Sequence, residues 1–185
     1  MKLPRTLSTL LWLPLNLLQG AYALLWSAFW ITLALVVRLL FGVRPALAMA
    51  RTIWAPGLLA GAFSSLRVRG LEAVDLGRPY LVVANHASFI DVPVLFRAFP
   101  IPLRFLAKRE LGRVPLLGSY IRAMGMVFVD RGALHEMRGS VLRAADALAA
   151  GDALVSFPEG TRSRDGRLGR FKSGGFAAAL ESGAA

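Results

Sequence analysis

Cysteine is absent from this 185-residue chain. Its absence excludes disulfide bonds, a thiolate metal site and a cysteine nucleophile. Histidine is nearly as rare, because the chain contains only two. One of them, His86, lies five residues before Asp91 and just after an apolar run, residues 80–84, that is typical of a buried strand. An imidazole oriented by a carboxylate at a strand end is the simplest device for taking a proton from a hydroxyl near neutral pH.

Acidic residues are few and begin late in the chain. The sequence has 11 acidic and 22 basic residues, a formal net charge of +11, and its first acidic residue is Glu72. Such a basic chain suits either nucleic acid or an anionic membrane. A mean hydropathy of +0.55 and an apolar content of 56% are high for an ordinary soluble domain. The composition therefore predicts membrane lipids as partners, and no nucleic acid.

Charged residues are missing from residues 6–37, a stretch of 32 residues. A helix of that length would extend about 48 Å, whereas the core of a bilayer needs only about 20 residues. Pro14 and Gly20 both weaken a continuous helix. We therefore predict a re-entrant or in-plane helical pair in this stretch rather than a single crossing.

Basic residues flank this stretch on both sides, and the positive-inside tendency predicts that both ends lie on the cytoplasmic face. These flanking residues are Lys2, Arg5, Arg38 and Arg44. A cleavable signal peptide is the alternative, with residues 7–18 as its apolar core and residues 21–23 as its cleavage site. Apolar sequence continues for 14 residues past Ala23, which favours a retained anchor. A second apolar stretch, residues 44–65, is broken by Pro56 and Gly57 and is expected to pack at the membrane face.

From Leu66 onward, short apolar runs alternate with helical patterns. The predicted strands are residues 66–70, 80–84, 103–107, 125–130 and 153–157. The predicted helices are residues 91–99, 118–124 and 133–150, with a further helix beginning near residue 171. This alternation predicts an α/β fold whose active edge lies at the carboxyl ends of its strands. The chain then divides into a membrane-associating helical region, residues 1–65, and a second domain, residues 66–185.

Residues 85–91, Asn-His-Ala-Ser-Phe-Ile-Asp, place His86 in the turn after a strand and Asp91 in the first turn of a helix. In that arrangement Asp91 can hold the imidazole in one tautomer and stabilise its protonated form. A purely structural alternative exists for Asp91, because Ser88-x-x-Asp91 is also the pattern of a helix-capping box.

Two other segments also follow predicted strands. Residues 157–163, Phe-Pro-Glu-Gly-Thr-Arg-Ser, turn sharply, and within them Gly160 allows close backbone approach and Arg162 can bind a phosphate or carboxylate in bidentate fashion. Residues 125–131, Gly-Met-Val-Phe-Val-Asp-Arg, end in an acid–base pair. Taken singly, the first could be only a turn and the second only a surface pair, Asp130 and Arg131.

Together the three segments resemble the motifs of the lysophospholipid acyltransferase family, which contains the 1-acylglycerol-3-phosphate and glycerol-phosphate acyltransferases. Residues 85–91 match its Asn-His-x-x-x-x-Asp motif, residues 125–131 its second motif, and residues 157–163 its Phe-Pro-Glu-Gly-Thr-Arg-Ser motif. Residues 107–111, followed by Pro115 and Gly118, are similar to its linking stretch. The resemblance covers roughly residues 66–182 and implies a central mixed sheet with flanking helices.

The resemblance also implies a chemistry. His86 would be the general base and Asp91 its orienting partner, and an acyl group would pass directly from acyl-CoA or an acyl-carrier protein to the sn-2 hydroxyl of lysophosphatidic acid, giving phosphatidic acid. No metal and no cofactor beyond that co-substrate is implied. The substrate-binding residues that it indicates are Arg131 and Arg162 for the phosphate, Lys108 as a further phosphate contact, and Glu159, Gly160 and Thr161 around the acceptor.

Some alternatives stay open at this level. The acceptor could be another lysolipid, such as a lyso-ornithine lipid or lysophosphatidylglycerol, because the motifs do not distinguish head groups. The family's fourth motif, of Val-Pro type, is not found before Ala185, so a C-terminally incomplete domain is expected. A truncated, non-catalytic lipid-binding protein is then a further alternative. The expected location is a membrane, with the active site on the cytoplasmic face of a bacterial inner membrane.

Overall fold

The computed structural model describes residues 5–130, 134–163 and 165–183. Their strands are β1 (Leu81–Val83), β2 (Leu103–Lys108), β3 (Val127–Val129) and β4 (Ala153–Ser156). Their α-helices are α1 (Arg5–Phe41), α2 (Val43–Met49), α3 (Ala55–Gly61), α4 (Asp91–Ala98), α5 (Leu117–Ala123), α6 (Leu134–Ala149) and α7 (Ala177–Ser182). A π-helical turn, Ala50–Trp54, joins α2 to α3.

The sheet has the strand order β1-β4-β2-β3, and its three pairings are all parallel. The α/β class with flanking helices is confirmed, but the expected mixed sheet is, among these strands, a parallel one. The physical reason is that a helix follows β1, β2 and β3 and returns the chain to the starting edge before the next strand. Every residue of the central strand β4 is buried because helices cover both faces of the sheet.

One predicted strand is wrong. Residues 66–70 alternate in sequence, yet they form irregular backbone. Val68 is 46% exposed and its neighbours Arg67 and Arg69 are also exposed, so the alternation has no buried face to stabilise it. The other four strands are confirmed, three of them with shorter bounds and β2 with one more residue, Lys108. The last helix begins later than expected, at Ala177, after a 3₁₀ turn at Ser173–Gly175 whose paired glycines are poor helix formers.

The expected break of the amino-terminal helix at Pro14 or Gly20 does not occur. The helix runs unbroken from Arg5 to Phe41. Proline removes one hydrogen bond from a 37-residue helix rich in leucine and alanine, and the remaining bonds keep the helix continuous. An 18-residue window within residues 12–41 has a mean hydropathy of 2.1, and this stretch is long and apolar enough to cross a membrane. A helical pair does form, but its second member is the segment from α2 to α3. Pro56 does not break that segment, because it lies directly after the π-helical turn and removes only the hydrogen bond of its own missing N–H group.

The pair is joined by side chains of α1 that donate hydrogen bonds to backbone carbonyls near α3. Tyr22 Oη donates to Gly57 O at 3.0 Å, Trp26 Nε1 to Trp54 O at 3.0 Å, and Gln19 Nε2 to Gly61 O at 3.0 Å. A Cβ at Gly57 would lie 2.2 Å from the Trp26 ring, and one at Gly61 would lie 2.2 Å from the Tyr22 ring. Both glycines therefore permit the close approach on which these bonds depend.

The helical pair of α1 with the segment from α2 to α3, called the amino-terminal hairpin below, shares one core with the sheet. Ala46, Leu47, Ala50 and Ala55 belong to the same buried cluster as strand and helix residues, namely Phe96, Leu103, Phe105, Tyr120, Met124 and Val155. On the opposite face of the sheet, α6 and α7 cover Leu81, Val127 and Leu154. Three layers therefore hold the strands, and with them the edge at which the candidate site lies.

Gly57→Ala is expected to lower the free energy of unfolding by about 1–3 kcal/mol, because the new methyl group overlaps the Trp26 ring. Thermal unfolding in detergent micelles, followed by circular dichroism, measures the effect. Gly20→Ala is the matched control, since a Cβ there meets nothing within 4 Å and alanine is the better helix former. Equal melting temperatures for Gly57→Ala and the unsubstituted protein would show that the close approach is not needed.

Candidate active site

The parallel sheet gathers the predicted site residues at its carboxyl edge. His86 and Asp91 follow β1, Lys108 ends β2, Asp130 follows β3, and the segment 157–163 follows β4. Because β4 lies between β1 and β2, the last segment is the immediate neighbour of the histidine loop. Arg131, the predicted phosphate ligand, lies outside the described residues.

Asp91 orients the imidazole of His86. Its Oδ2 atom lies 2.8 Å from His86 Nδ1 and also accepts the backbone N–H groups of Ala87 at 2.7 Å and Ser88 at 2.8 Å. Because this oxygen already accepts two backbone N–H groups, it carries no proton of its own. The hydrogen between it and the imidazole therefore belongs to Nδ1, which donates it to Asp91. The neutral ring then presents the lone pair of Nε2 to a substrate.

The capping alternative for Asp91 also describes part of this geometry. The Ser88 N–H donates to Asp91, and Ser88 Oγ accepts the N–H of Ile90 at 3.3 Å, which is close to the reciprocal bonding of a capping box. The N-cap of α4 is Ile90, however, and it makes no side-chain capping bond. The Asp91 carboxylate therefore holds the turn before the helix, together with the histidine, and does not cap α4 itself.

The segment after β4 holds the backbone and the ring of His86. Glu159 Oε1 accepts the His86 N–H at 2.7 Å, and the His86 carbonyl accepts the Ser163 N–H at 2.8 Å. The Phe157 ring stacks on the imidazole with centroids 4.1 Å apart and planes 18° apart. Together with Asp91, these contacts leave the histidine one position and one ring orientation.

Glu159 is buried, with 6% of its surface exposed, and both of its carboxylate oxygens are used. Its Oε2 atom accepts the N–H of Gly169 at 2.9 Å, so one side chain bridges two loops. A Cβ at Gly169 would lie 2.8 Å from that oxygen, which explains a glycine there. The turn that carries Glu159 closes through a 2.9 Å bond from the Gly160 N–H to the Phe157 carbonyl, and the φ angle of +72° at Gly160 suits glycine.

Arg162 points back to the histidine loop. Its Cζ atom lies 3.4 Å from the centroid of the Phe89 ring, which is a cation–π contact. Phe89 is 78% exposed, and Thr161 beside Arg162 is exposed as well. The contacts of Phe89 and Phe157 were not predicted from the sequence. Phe157 at least begins a motif, whereas Phe89 occupies a position where the first motif allows any residue.

The ends of β2 and β3 are joined by an ion pair. Arg109 donates two hydrogen bonds to the carboxylate of Asp130, and Arg143 on α6 lies 3.7 Å from the same carboxylate. The Arg109 hydrogen bond holds the pKa of Asp130 below its usual range. Asp130 is therefore not the surface acid that the sequence allowed, because only 6% of its surface is exposed. Lys108, the residue before Arg109, is exposed at the end of its strand.

Within residues 5–130, 134–163 and 165–183, no group of three or more acidic or histidine side chains is arranged to hold a metal ion. The arrangement instead offers a proton acceptor, the Nε2 atom of His86, with basic side chains on the neighbouring segments. Such a site can deprotonate a hydroxyl and hold an anionic group near it.

Glu159→Gln is expected to lower the free energy of unfolding by about 1–3 kcal/mol, because an amide can accept only one of the two backbone N–H groups and leaves the other unpaired. Denaturant unfolding in micelles measures the loss. Glu110→Gln, at an exposed glutamate beside the site, is the matched control. A Glu159→Gln protein as stable as that control would contradict the bridging role.

Several known proteins are similar to this chain. The family model described as Acyltransferase matches residues 65–185. A chloroplastic 1-acyl-sn-glycerol-3-phosphate acyltransferase from Arabidopsis thaliana is 34% identical over 124 residues, which are 66% of this chain and 35% of that protein. A lyso-ornithine lipid O-acyltransferase from Pseudomonas aeruginosa is 38% identical over 132 residues, which are 71% of this chain and 49% of that protein.

The structural comparison agrees with these matches. The crystal structure of the 1-acyl-sn-glycerophosphate acyltransferase from Thermotoga maritima superimposes with a TM-score of 0.72 and 28% sequence identity, over 98% of this chain and 73% of that one. The chain spans about a third to a half of the length of the two curated relatives described above. Because the family model covers more than half of the sequence and the fold agrees, the chain belongs to the acyltransferase family.

Proposed function

We propose that the protein is a membrane-bound acyltransferase that moves an acyl group from acyl-CoA or an acyl-carrier protein to the sn-2 hydroxyl of lysophosphatidic acid, giving phosphatidic acid. The observation that carries this proposal is the bond between His86 Nδ1 and the Asp91 carboxylate at 2.8 Å, which leaves Nε2 as a general base. Membership of the acyltransferase family supports the reaction type.

In the proposed reaction, His86 Nε2 takes the proton of the lysolipid hydroxyl as its oxygen attacks the thioester carbonyl. The C–O bond of the new ester forms, the C–S bond breaks, and the departing thiolate receives the proton from the imidazolium. Asp91 keeps the ring in the required tautomer and stabilises its positive charge. General-base assistance of this kind contributes about 10²–10⁴-fold to the rate, and the positioning of both substrates contributes much of the rest.

The acceptor phosphate is assigned to the basic side chains at the same edge, Arg131, Arg162 and Lys108. Arg162 stacks on Phe89, and a stacked guanidinium keeps its planar N–H groups for bidentate phosphate contacts. Gly160 and Thr161 would shape the acceptor pocket, while Glu159 would act by holding His86. A phosphate acceptor agrees with the names of the Arabidopsis thaliana and Thermotoga maritima relatives.

A lyso-ornithine lipid is the second candidate acceptor. The Pseudomonas aeruginosa relative named for that reaction has 38% identity over 71% of this chain. The transfer chemistry at His86 would be the same, because both reactions acylate a free hydroxyl. Only the contacts to the head group would differ.

The proposed location is a membrane, with the site at its cytoplasmic surface. Apolar side chains of α1 are exposed along the helix, among them Leu17, Leu24, Phe29 and Leu39, at 60–83%. Such a helix is stable where lipid covers it. Arg38 and Arg44, at the end of α1 that contacts α5, support a cytoplasmic orientation of that end and of the site.

The acceptor is tested by radiolabelled acyl transfer with the full chain in membranes. The panel contains lysophosphatidic acid, lyso-ornithine lipid, lysophosphatidylglycerol and lysophosphatidylcholine, each with acyl-CoA and with acyl-carrier protein. We expect the highest kcat/KM for lysophosphatidic acid. A preference for the lyso-ornithine lipid would instead select the second candidate, and transfer to none of them would contradict both.

His86→Ala is expected to lower kcat by about 10²–10⁴-fold, because it removes the general base. Asp91→Asn should also lower kcat, since an amide does not enforce the tautomer or stabilise the imidazolium. His135→Ala, at the exposed second histidine on α6, is the matched control and should leave kcat unchanged. Equal turnover for His86→Ala and the unsubstituted protein would exclude catalysis by this histidine, and lysolipid binding with no turnover in either would indicate the non-catalytic lipid-binding alternative.

A further inference from the structure

One segment beside the site combines basic and apolar side chains in a way that the proposed reaction does not use. Residues 165–172, called the 165–172 loop below, follow the third motif and contain neither helix nor strand. Between residues 162 and 172 the sequence has five basic residues and a single acidic one. Within the loop, Arg167, Arg170 and Lys172 are all exposed.

Bulky apolar side chains are exposed among these charges. Leu168 is 68% exposed and Phe171 is 40% exposed. Phe89, which lies under Arg162 in the neighbouring loop, is 78% exposed. Single exposed apolar residues are ordinary on protein surfaces, but their alternation with arginine and lysine is the composition that interfacial segments use on anionic membranes.

The loop is held firmly against the candidate site. The Gly169 N–H donates to Glu159 Oε2 at 2.9 Å, while the other oxygen of that carboxylate accepts the His86 N–H at 2.7 Å. The Lys172 N–H donates to the Pro158 carbonyl at 3.0 Å. The middle of the loop and the catalytic histidine are therefore separated by one carboxylate group.

We propose that the 165–172 loop is a second membrane contact, in which Leu168 and Phe171 enter the boundary between head groups and acyl chains of an anionic bilayer while Arg167, Arg170 and Lys172 pair with lipid phosphates. The inference rests on the proposed function, because a lysolipid whose tail stays in the bilayer must present its hydroxyl to His86 at the membrane surface. A loop fixed to His86 through Glu159 then keeps this edge of the sheet at the lipid head groups.

An acidic acyl-carrier protein is the other partner that such charges could attract. The lipid surface is favoured because the exposed apolar side chains need no matching groove in a fluid bilayer, whereas a folded partner needs a complementary surface. The same chain also carries, in α1, an apolar helix in which only 6% of an 18-residue apolar window is buried. Each basic side chain near an anionic surface is expected to strengthen the contact by about fivefold.

The absence of cysteine makes a direct test possible, because a single introduced cysteine can be labelled without competition. Leu168→Cys, labelled with an environment-sensitive fluorophore, is reconstituted as the full chain into vesicles of phosphatidylcholine and phosphatidylglycerol that contain nitroxide-labelled lipid. We expect a blue shift and quenching by the nitroxide lipid, with weaker quenching in vesicles of phosphatidylcholine alone. Leu142→Cys, at a 47% exposed leucine of α6 on the other face of the sheet, is the matched control and should stay in water.

Charge reversal supplies the second arm. Arg167→Glu, Arg170→Glu and Lys172→Glu together should abolish the nitroxide quenching at position 168 while the protein still sediments with vesicles through α1. Quenching by aqueous iodide at position 168 equal to that at position 142 would overturn the proposal. So would a fluorescence response at position 168 to added acyl-carrier protein but not to vesicles.

The outcomes separate this proposal from the proposed reaction. If the reaction is wrong, the unsubstituted protein transfers no acyl group, whatever the environment of position 168. If only the membrane contact is wrong, acyl transfer depends on His86 as proposed and the label at position 168 stays in water.

Discussion

The Glu159 carboxylate is the interaction on which the geometry of the site depends. It joins the backbone of His86, after β1, to the backbone of Gly169, beyond β4, and it does so in a position where only 6% of its surface reaches solvent. Hydrogen bonds to an ionised acceptor are stronger than neutral ones, and a buried N–H group left without a partner is destabilising. Without the Glu159 side chain, Asp91 would still orient the imidazole ring, but the backbone N–H of His86 would lose its hydrogen-bond partner.

The parallel sheet makes that contact possible. Because β1 and β4 are neighbours and run in the same direction, the loops that follow them emerge side by side at one edge. The register of Leu81 with Leu154 and Val83 with Ser156 brings the first and third motifs to the same level. Phe157, the next residue of the chain, then lies under the imidazole, and Ser163 reaches the His86 carbonyl.

The amino-terminal hairpin packs against the helix and strand that lead to the candidate site. Its residues Ala46, Leu47 and Ala55 are buried together with Phe96 of α4 and Phe105 of β2. Trp54 packs against Phe96 with ring centroids 5.8 Å apart, and α4 is the helix that begins at Asp91. The proposed membrane anchor is therefore connected to the loop of His86 by one helix of eight residues. If α1 lies in a bilayer as proposed, this connection would keep the candidate site at a fixed height above it.

The sequence alone determined the local features. The apolar stretch 6–37, the alternation of strands and helices, and the pairing of His86 with Asp91 were all predicted, because each depends on residues near one another in the chain. The motifs also identified the family and the type of reaction before any contact was known. Where local pattern was the sole evidence it also failed, as at residues 66–70, which alternate without a sheet partner, and at Pro14, which does not interrupt α1.

Only the tertiary structure decided what joins distant parts of the chain. The bond from Glu159 to His86 spans 73 residues, that from Tyr22 to Gly57 spans 35, and the pair of Arg109 with Asp130 spans 21. Each contact depends on which strands or helices become neighbours, and the periodicity of the sequence does not predict that. For the same reason the backbone contacts of Glu159 were not predicted and Asp130 could be taken for a surface acid, since burial is set by the packing of the whole domain and not by the residues on either side.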